Sequence, residues 1–171
     1  MALTGSVQGV LSLTQTNVLD LVTASATLTD AAGLLHWAIT SGTGANQADQ
    51  LWSDTRTLAL STGEDLDLAG GITDVYGNVL TMARVKMIYI TAASTNGSTI
   101  SVGGASATQF VGWVANSSDI VKIRPGGGFM LIAPDATAYV VGAGTADLLK
   151  VLNDDGAAGA TYSIIIVGAS A

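Results

Sequence analysis

Apolar and polar residues alternate along much of this chain with a period of two, the repeat of a β-strand with one buried face. Over residues 6–14 the alternation gathers Val7, Leu11 and Leu13 on one side. Over residues 84–90 it sets Val85, Met87 and Tyr89 against Arg84, Lys86, Ile88 and Ile90, the half-polar pattern of a sheet with one wet side. Further strands are expected at 34–39, 55–60, 99–102, 109–115, 120–123, 129–133, 138–141, 148–152 and 161–167. Asn96-Gly97, Gly103-Gly104, Asn116-Ser117-Ser118, Pro125-Gly126-Gly127-Gly128 and the 154–159 segment separate them, each rich in the residues that turns favour. The Pro125 run reads as a hairpin or a corner.

Short strands spaced roughly 8–12 residues apart indicate a sandwich or a barrel. The chain is therefore expected to be all-β, a jelly-roll-like antiparallel β-sandwich with at most a short helix. Two segments leave room for that helix. Residues 46–52 fit one helical turn or a loop, and residues 79–83 fit a short helix or the lead-in to the strand that follows. No linker, charge block or internal repeat divides the chain. After Thr14 the alternation breaks at Gln15-Thr16-Asn17, so residues 1–17 are read as an N-terminal arm and 18–171 as a single β-sandwich domain.

Composition points the same way. Val, Ile and Thr number 15, 11 and 20, against 1 Glu, 3 Lys and 5 Gln, and helix surfaces draw mainly on the second group. The 57 large apolar residues suffice for a core, which sets the chain apart from disordered ones. With no cysteine, a disulfide scaffold, a thiolate zinc site and a cysteine nucleophile are excluded. No apolar run approaches the roughly 18 residues of a membrane helix. The Met-Ala-Leu-Thr-Gly-Ser start lacks the basic region and apolar block of a secretory signal, so no export is expected.

Charge changes the picture most. Six Lys and Arg against 13 Asp and Glu leave a net charge of −7 and only 11% charged residues, well under the share in ordinary domains. A monomer of 17.1 kDa should expose about 7,800 Å². So few charges over that area imply a surface of Ser, Thr, Gly and Ala, or one covered by partners. Six scattered bases make no phosphate-binding patch, so neither nucleic acid nor membrane is an expected partner.

Candidate chemistry is sparse. His36, the only imidazole, stands beside Trp37 in an apolar run, the setting of a packed or interface histidine rather than of a general base. Glu64, Asp65 and Asp67, and Asp154 with Asp155, cluster without the spacing of a calcium loop and read as solvated turn acids. Glycoside hydrolysis also uses paired acids, but in a cleft lined by aromatics, and 9 aromatics are spread over the whole chain. Neither Gly42-Thr43-Gly44 nor Gly142-Ala143-Gly144 completes a phosphate loop. No metal or cofactor is expected. Trp37, Trp52 and Trp113 are core residues or interface anchors. Arg56, Arg84, Lys86, Lys122, Arg124 and Lys150 lie in or beside strands, where they are solvated or pair with acids of a neighbouring subunit. The candidate interface set is His36, Trp37, Trp52, Arg56, Arg84, Lys86 and Trp113.

Four stretches carry a resemblance. They are Gly44-Ala45-Asn46-Gln47-Ala48-Asp49-Gln50-Leu51-Trp52-Ser53-Asp54-Thr55-Arg56-Thr57-Leu58, Leu80-Thr81-Met82-Ala83-Arg84-Val85-Lys86-Met87-Ile88-Tyr89-Ile90, Pro125-Gly126-Gly127-Gly128-Phe129 and Ala146-Asp147-Leu148-Leu149-Lys150-Val151-Leu152-Asn153. In order and spacing, over residues 44–168, they resemble small virion structural proteins of tailed bacteriophages, of the capsid decoration (cement) type. The resemblance implies a β-rich, non-enzymatic protein on the outer capsid surface of the virion. It would be a homo-oligomer, expected here to be a trimer, that bridges subunits of the major capsid protein, with an N-terminal arm taking part in the contacts. No residue-level binding site transfers. Tail and head-fibre proteins share the same Gly/Thr/Ala-rich β character, so a fibre component binding host surface glycan is the alternative, with Trp52, Tyr76 and Trp113 as its sugar platform.

Overall fold

The structure, a computed structural model, describes residues 2–9, 12–18, 23–29, 35–105, 107–154 and 158–171. Among them every regular element is a strand. In chain order these are β1 (Gly5–Gly9), β2 (Ser12–Val18), β3 (Thr23–Thr29), β4 (Leu35–Ser41), β5 (Gln47–Ala48), β6 (Gln50–Leu58), β7 (Gly63–Asp67) and β8 (Ala69–Thr73). There follow β9 (Val79–Thr81), β10 (Arg84–Ala92), β11 (Ile100–Gly103), β12 (Ile120–Ile123), β13 (Gly128–Ile132), β14 (Tyr139–Val140), β15 (Leu148–Asn153) and β16 (Ala160–Ala169).

Two antiparallel sheets form the body. The first runs β13-β10-β16-β6, with β14 also paired to β10, and the second runs β12-β11-β15-β7. The chain is thus all-β, built as a sandwich, and it crosses between the sheets at β6–β7, β10–β11, β12–β13, β14–β15 and β15–β16. Pro125–Gly128 is one of these crossings, a corner and not a hairpin. Between the sheets lie Ile88 and Ile90 of β10, Ile164 and Ile166 of β16, Ile100 and Val102 of β11, and Leu149 and Val151 of β15. Branched side chains of this kind suit a pleated surface, and burying each contributes about 1.5–3 kcal/mol. The β8–β9 hairpin adds Ile72 and Leu80 to the same core. At the β11 exit Gly103 takes a φ of +103°, and a Cβ there would stand 2.5 Å from the Asp119 carbonyl oxygen, so only glycine fits.

A third layer covers part of the first sheet's outer face. Strands β1, β4 and β5 form a small sheet, and Trp37 and Ile39 of β4 with Ala48 of β5 bury against Met87 and Val167. This layer corrects the expectation of a wet side along β10. The β10–β16 register shifts between Val85 and Met87, so Val85 joins Ile88 and Ile90 in the main core while Met87 faces the second one. A bulge of this kind reverses the side-chain sense on one side of it. Val85, Lys86, Met87 and Ile88 are consequently all buried, and Tyr89 is the first exposed side chain beyond them.

The N-terminal strands form two nested ladders. β1 pairs with β4 from Gly5–Ile39 to Gly9–Leu35, and β2 pairs with β3 from Ser12–Thr29 to Val18–Thr23. The outer ladder is anchored on the body through Val7, Trp37 and Ile39. Among the described residues, no other element packs substantially on the inner β2–β3 hairpin. The exposed surface of 8,984 Å² exceeds by about 1,200 Å² what a compact monomer of this mass presents.

Other expectations are also corrected. Residues 46–52 hold no helical turn: Asn46 ends a tight turn, Gln47–Ala48 are β5, and β6 begins at Gln50 after Asp49, with Ala48 and Trp52 buried. Residues 79–81 are a strand, β9. Residues 109–115 are not a strand, and only Gln109 makes a bridge, to Leu148. Thr108 takes a φ of +41°, Phe110 is fully buried, and the Val114 amide donates to the Val111 carbonyl at 3.1 Å. That apolar run is a plug held by turns, not an alternating strand. Leu11, Leu34 and Asp155 of the sequence reading lie outside the described residues.

Candidate interaction site

The largest polar cluster joins the sheets at one open edge. Edge strand β6 carries Arg56, which donates to Asp54 at 2.8 Å and also pairs with Glu64 on β7, the edge of the opposite sheet. Glu64 accepts the Tyr162 hydroxyl at 2.8 Å, and the Arg56 guanidinium lies 5.2 Å from the Trp52 ring centroid. Tyr162 is fully buried, and that burial, reinforced by the Glu64 carboxylate, holds its phenol well above the ordinary tyrosine range. It therefore remains a donor. Asp54 is held below the usual carboxylate value, chiefly by its bond to Arg56. The arrangement is a clasp between sheets rather than an acid–base pair, because the phenol, the cation and the carboxylates are each spent on one another. Across the second sheet, Asp154 accepts from Lys122 at 2.8 Å and from Ser101 at 2.7 Å, and both bonds lower its value. Glu64 and Asp154 are thus half-buried partners of bases, not solvated turn acids.

The seven candidate interface residues do not converge. Trp37, Trp52 and Lys86 are buried within the chain. Lys86 donates to the Gly44 carbonyl at 3.1 Å and to the Asp135 carbonyl, which corrects its reading as a solvated strand residue. Trp113 is half-buried with its ring centroid 5.7 Å from that of Phe129 and its indole N–H on the Phe110 carbonyl. Arg56 sits in the clasp, and half-buried Arg84 donates to the Ala171 carbonyl. His36 is exposed on β4, opposite Gln8. Of the three aromatics that would form a sugar platform, only Tyr76 stands exposed, at 70%. Its neighbour Asp74 is occupied in the turn, accepting from the Tyr76 amide at 2.9 Å and the Asn78 amide at 2.8 Å.

Exposed apolar concave surface occurs beside Tyr76, where Leu3, Leu51, Val75 and Leu80 join it with Asp49 and Asp74 at the border, and again, without a charged residue in its described lining, elsewhere. On the outer face of the first sheet, where the β1 layer leaves off, Val7, Met87, Tyr89, Met130 and Ile165 line an open groove of about 380 Å³. Tyr89 and Met130 are cross-strand partners and are 38% and 40% exposed. The remaining lining residues, Ser6 and Gln8, are uncharged, so among the described residues no ionisable group other than the Tyr89 phenol borders the groove. β1 forms its rim and pairs, among the described residues, with β4 alone. Contiguous exposed apolar surface of this kind marks interaction sites. Sequence reasoning set Tyr89 beside Met87 but had no signal for Met130, since only the β10–β13 register brings it there.

Compared with protein-family models, curated proteins and solved structures, the chain finds no match. Among the described residues no cluster of His, Asp and Glu is arranged to hold a metal ion, and no helix is long and apolar enough to cross a membrane.

Proposed function

We propose that this chain is a structural virion protein of the decoration, or cement, type, which sits on the outer capsid surface as a homo-oligomer, a trimer, and bridges subunits of the major capsid protein. The observation that carries this reading is the β2–β3 hairpin, a ribbon without a charged residue in either strand on which, among the described residues, no other element packs substantially. A two-stranded ribbon alone in water is marginal at best, so such an element belongs against another surface. Contacts of about 800 Å² per partner would be made at little desolvation cost by a chain with so few charges. Repeated over many copies, contacts that are weak singly hold a shell against internal pressure.

Copy number separates this function from its rival. Purified particles should contain the chain in numbers on the order of the major capsid protein, read by quantitative staining or mass spectrometry. A trace band would assign it to a tail or fibre, where exposed Tyr76 would be the place to look for glycan binding. Absence from particles would end the virion reading altogether.

A further inference from the structure

We propose that the β2–β3 hairpin of one copy lies in the uncharged groove of a second copy, between β1 and the β10–β13 pair. Four observations support the match. The register sets Leu13 opposite Leu28 and Thr14 opposite Thr27, and Leu13 is an apolar group left 57% exposed. The groove supplies the complementary surface, with Met130 and Tyr89 exposed over Met87 and Ile165. Neither the strands Ser12–Val18 and Thr23–Thr29 nor the described lining of the groove contains a charged residue, the hairpin's one acid, Asp20, falling in the sequence between the strands, so seating strand on groove takes no ion away from water. The edge of β1 at the groove rim, which pairs with no other strand among the described residues, offers backbone groups to an incoming strand, the general mode of strand addition.

A second copy is the fitting occupant because the hairpin is poorly placed to reach its own groove. Two residues separate β1 from β2, and the β2–β3 ladder is nested beyond the Gly9–Leu35 end of the β1–β4 ladder. Self-docking would require the ribbon to fold back onto β1, the strand it directly follows, with two residues for the return on one side and five on the other. The inference deepens the homo-oligomeric part of the reading above. It is tested on the free protein, so its failure leaves capsid binding to be judged separately.

The chain has no cysteine, so every disulfide is an introduced one. Leu13→Cys protein is mixed with Met130→Cys protein under mild oxidation, and Leu13→Cys with Leu60→Cys serves as the control, Leu60 being exposed and away from the groove. The expected result is a mixed Leu13→Cys/Met130→Cys dimer formed on the order of tenfold faster than the control pair. Light scattering on the unmodified protein should give more than a monomer mass at micromolar concentration. Met130→Lys, which places a charge in the groove, should weaken assembly tenfold or more without moving the thermal midpoint. A monomeric unmodified protein, equal rates for the two cysteine pairs, or full assembly of the Met130→Lys variant would each overturn the proposal.

Discussion

Alanine in place of Lys86 is expected to destabilise the protein by about 3–5 kcal/mol, read as a fall in the urea midpoint of unfolding. The side chain is fully buried, and its ammonium holds the Gly44 and Asp135 carbonyls. One cation therefore ties the turn before β5 and the segment after β13 to the central strand β10. Truncation removes the buried stem, at about 0.8 kcal/mol per methylene. It also leaves two carbonyls short of a donor, at about 1–3 kcal/mol each, offset in part because a charge no longer has to be kept from water. Burial pushes the ammonium below its ordinary value, with Asp135 opposing and Arg84 adding to the shift. Between that lowered value and the ordinary 10.5 the unfolded chain binds the proton more tightly than the native one, so the Lys86 contribution to stability rises with pH across that window. Lys86→Met keeps the volume and should abolish this alkaline rise. An alanine variant that unfolds at the unmodified midpoint, or identical alkaline profiles for the unmodified and methionine proteins, would show that Lys86 is not the anchor described.

Tyr162→Ala should cost about 3–5 kcal/mol and lower the thermal midpoint on the order of 10 °C. Its ring fills the main core from β16, and its hydroxyl reaches across the sandwich to Glu64 on β7. Phenylalanine at the same position tests the hydroxyl alone. Glu64 keeps Arg56 as a partner in that variant, so the loss should be about 1 kcal/mol. A cycle with Glu64→Gln should give a coupling of similar size, whereas strictly additive losses would mean that the clasp does not act as a unit.

The sequence reading succeeded where alternation coincides with a paired strand. β10, β12, β13, β15 and β16 are legible as short runs of branched and aromatic apolar residues bounded by turn sequences, although the alternation within β10 breaks at its bulge. β7 and β8 are not legible because Gly-Glu-Asp-Leu-Asp has no β-branched or aromatic residue and Ala-Gly-Gly-Ile-Thr has only its last two, and pairing imposes their conformation: β7 on β15, β8 on β9. The error at 109–115 has the opposite cause, apolar residues buried by turns without a neighbour to pair with. The groove was beyond reach from sequence, since it depends on the β10–β13 register, the bulge at Val85–Met87 and the place where the β1 layer stops. Trp37 and Lys86 look available for partners because nothing local reveals a third layer over β10, and Trp52 because its place in the main core depends on the pairing of β6 with β16.

The claim that this chain works by covering and joining other surfaces is tested most directly by adding the purified protein to capsids assembled without it and measuring their thermal rupture. The account predicts saturable binding at a fixed ratio to the capsid subunit and a higher rupture temperature. Deleting residues 12–29 should abolish the gain while leaving the sandwich folded. Capsids that rupture at the same temperature at every protein concentration, with no bound chain after sedimentation, would contradict it.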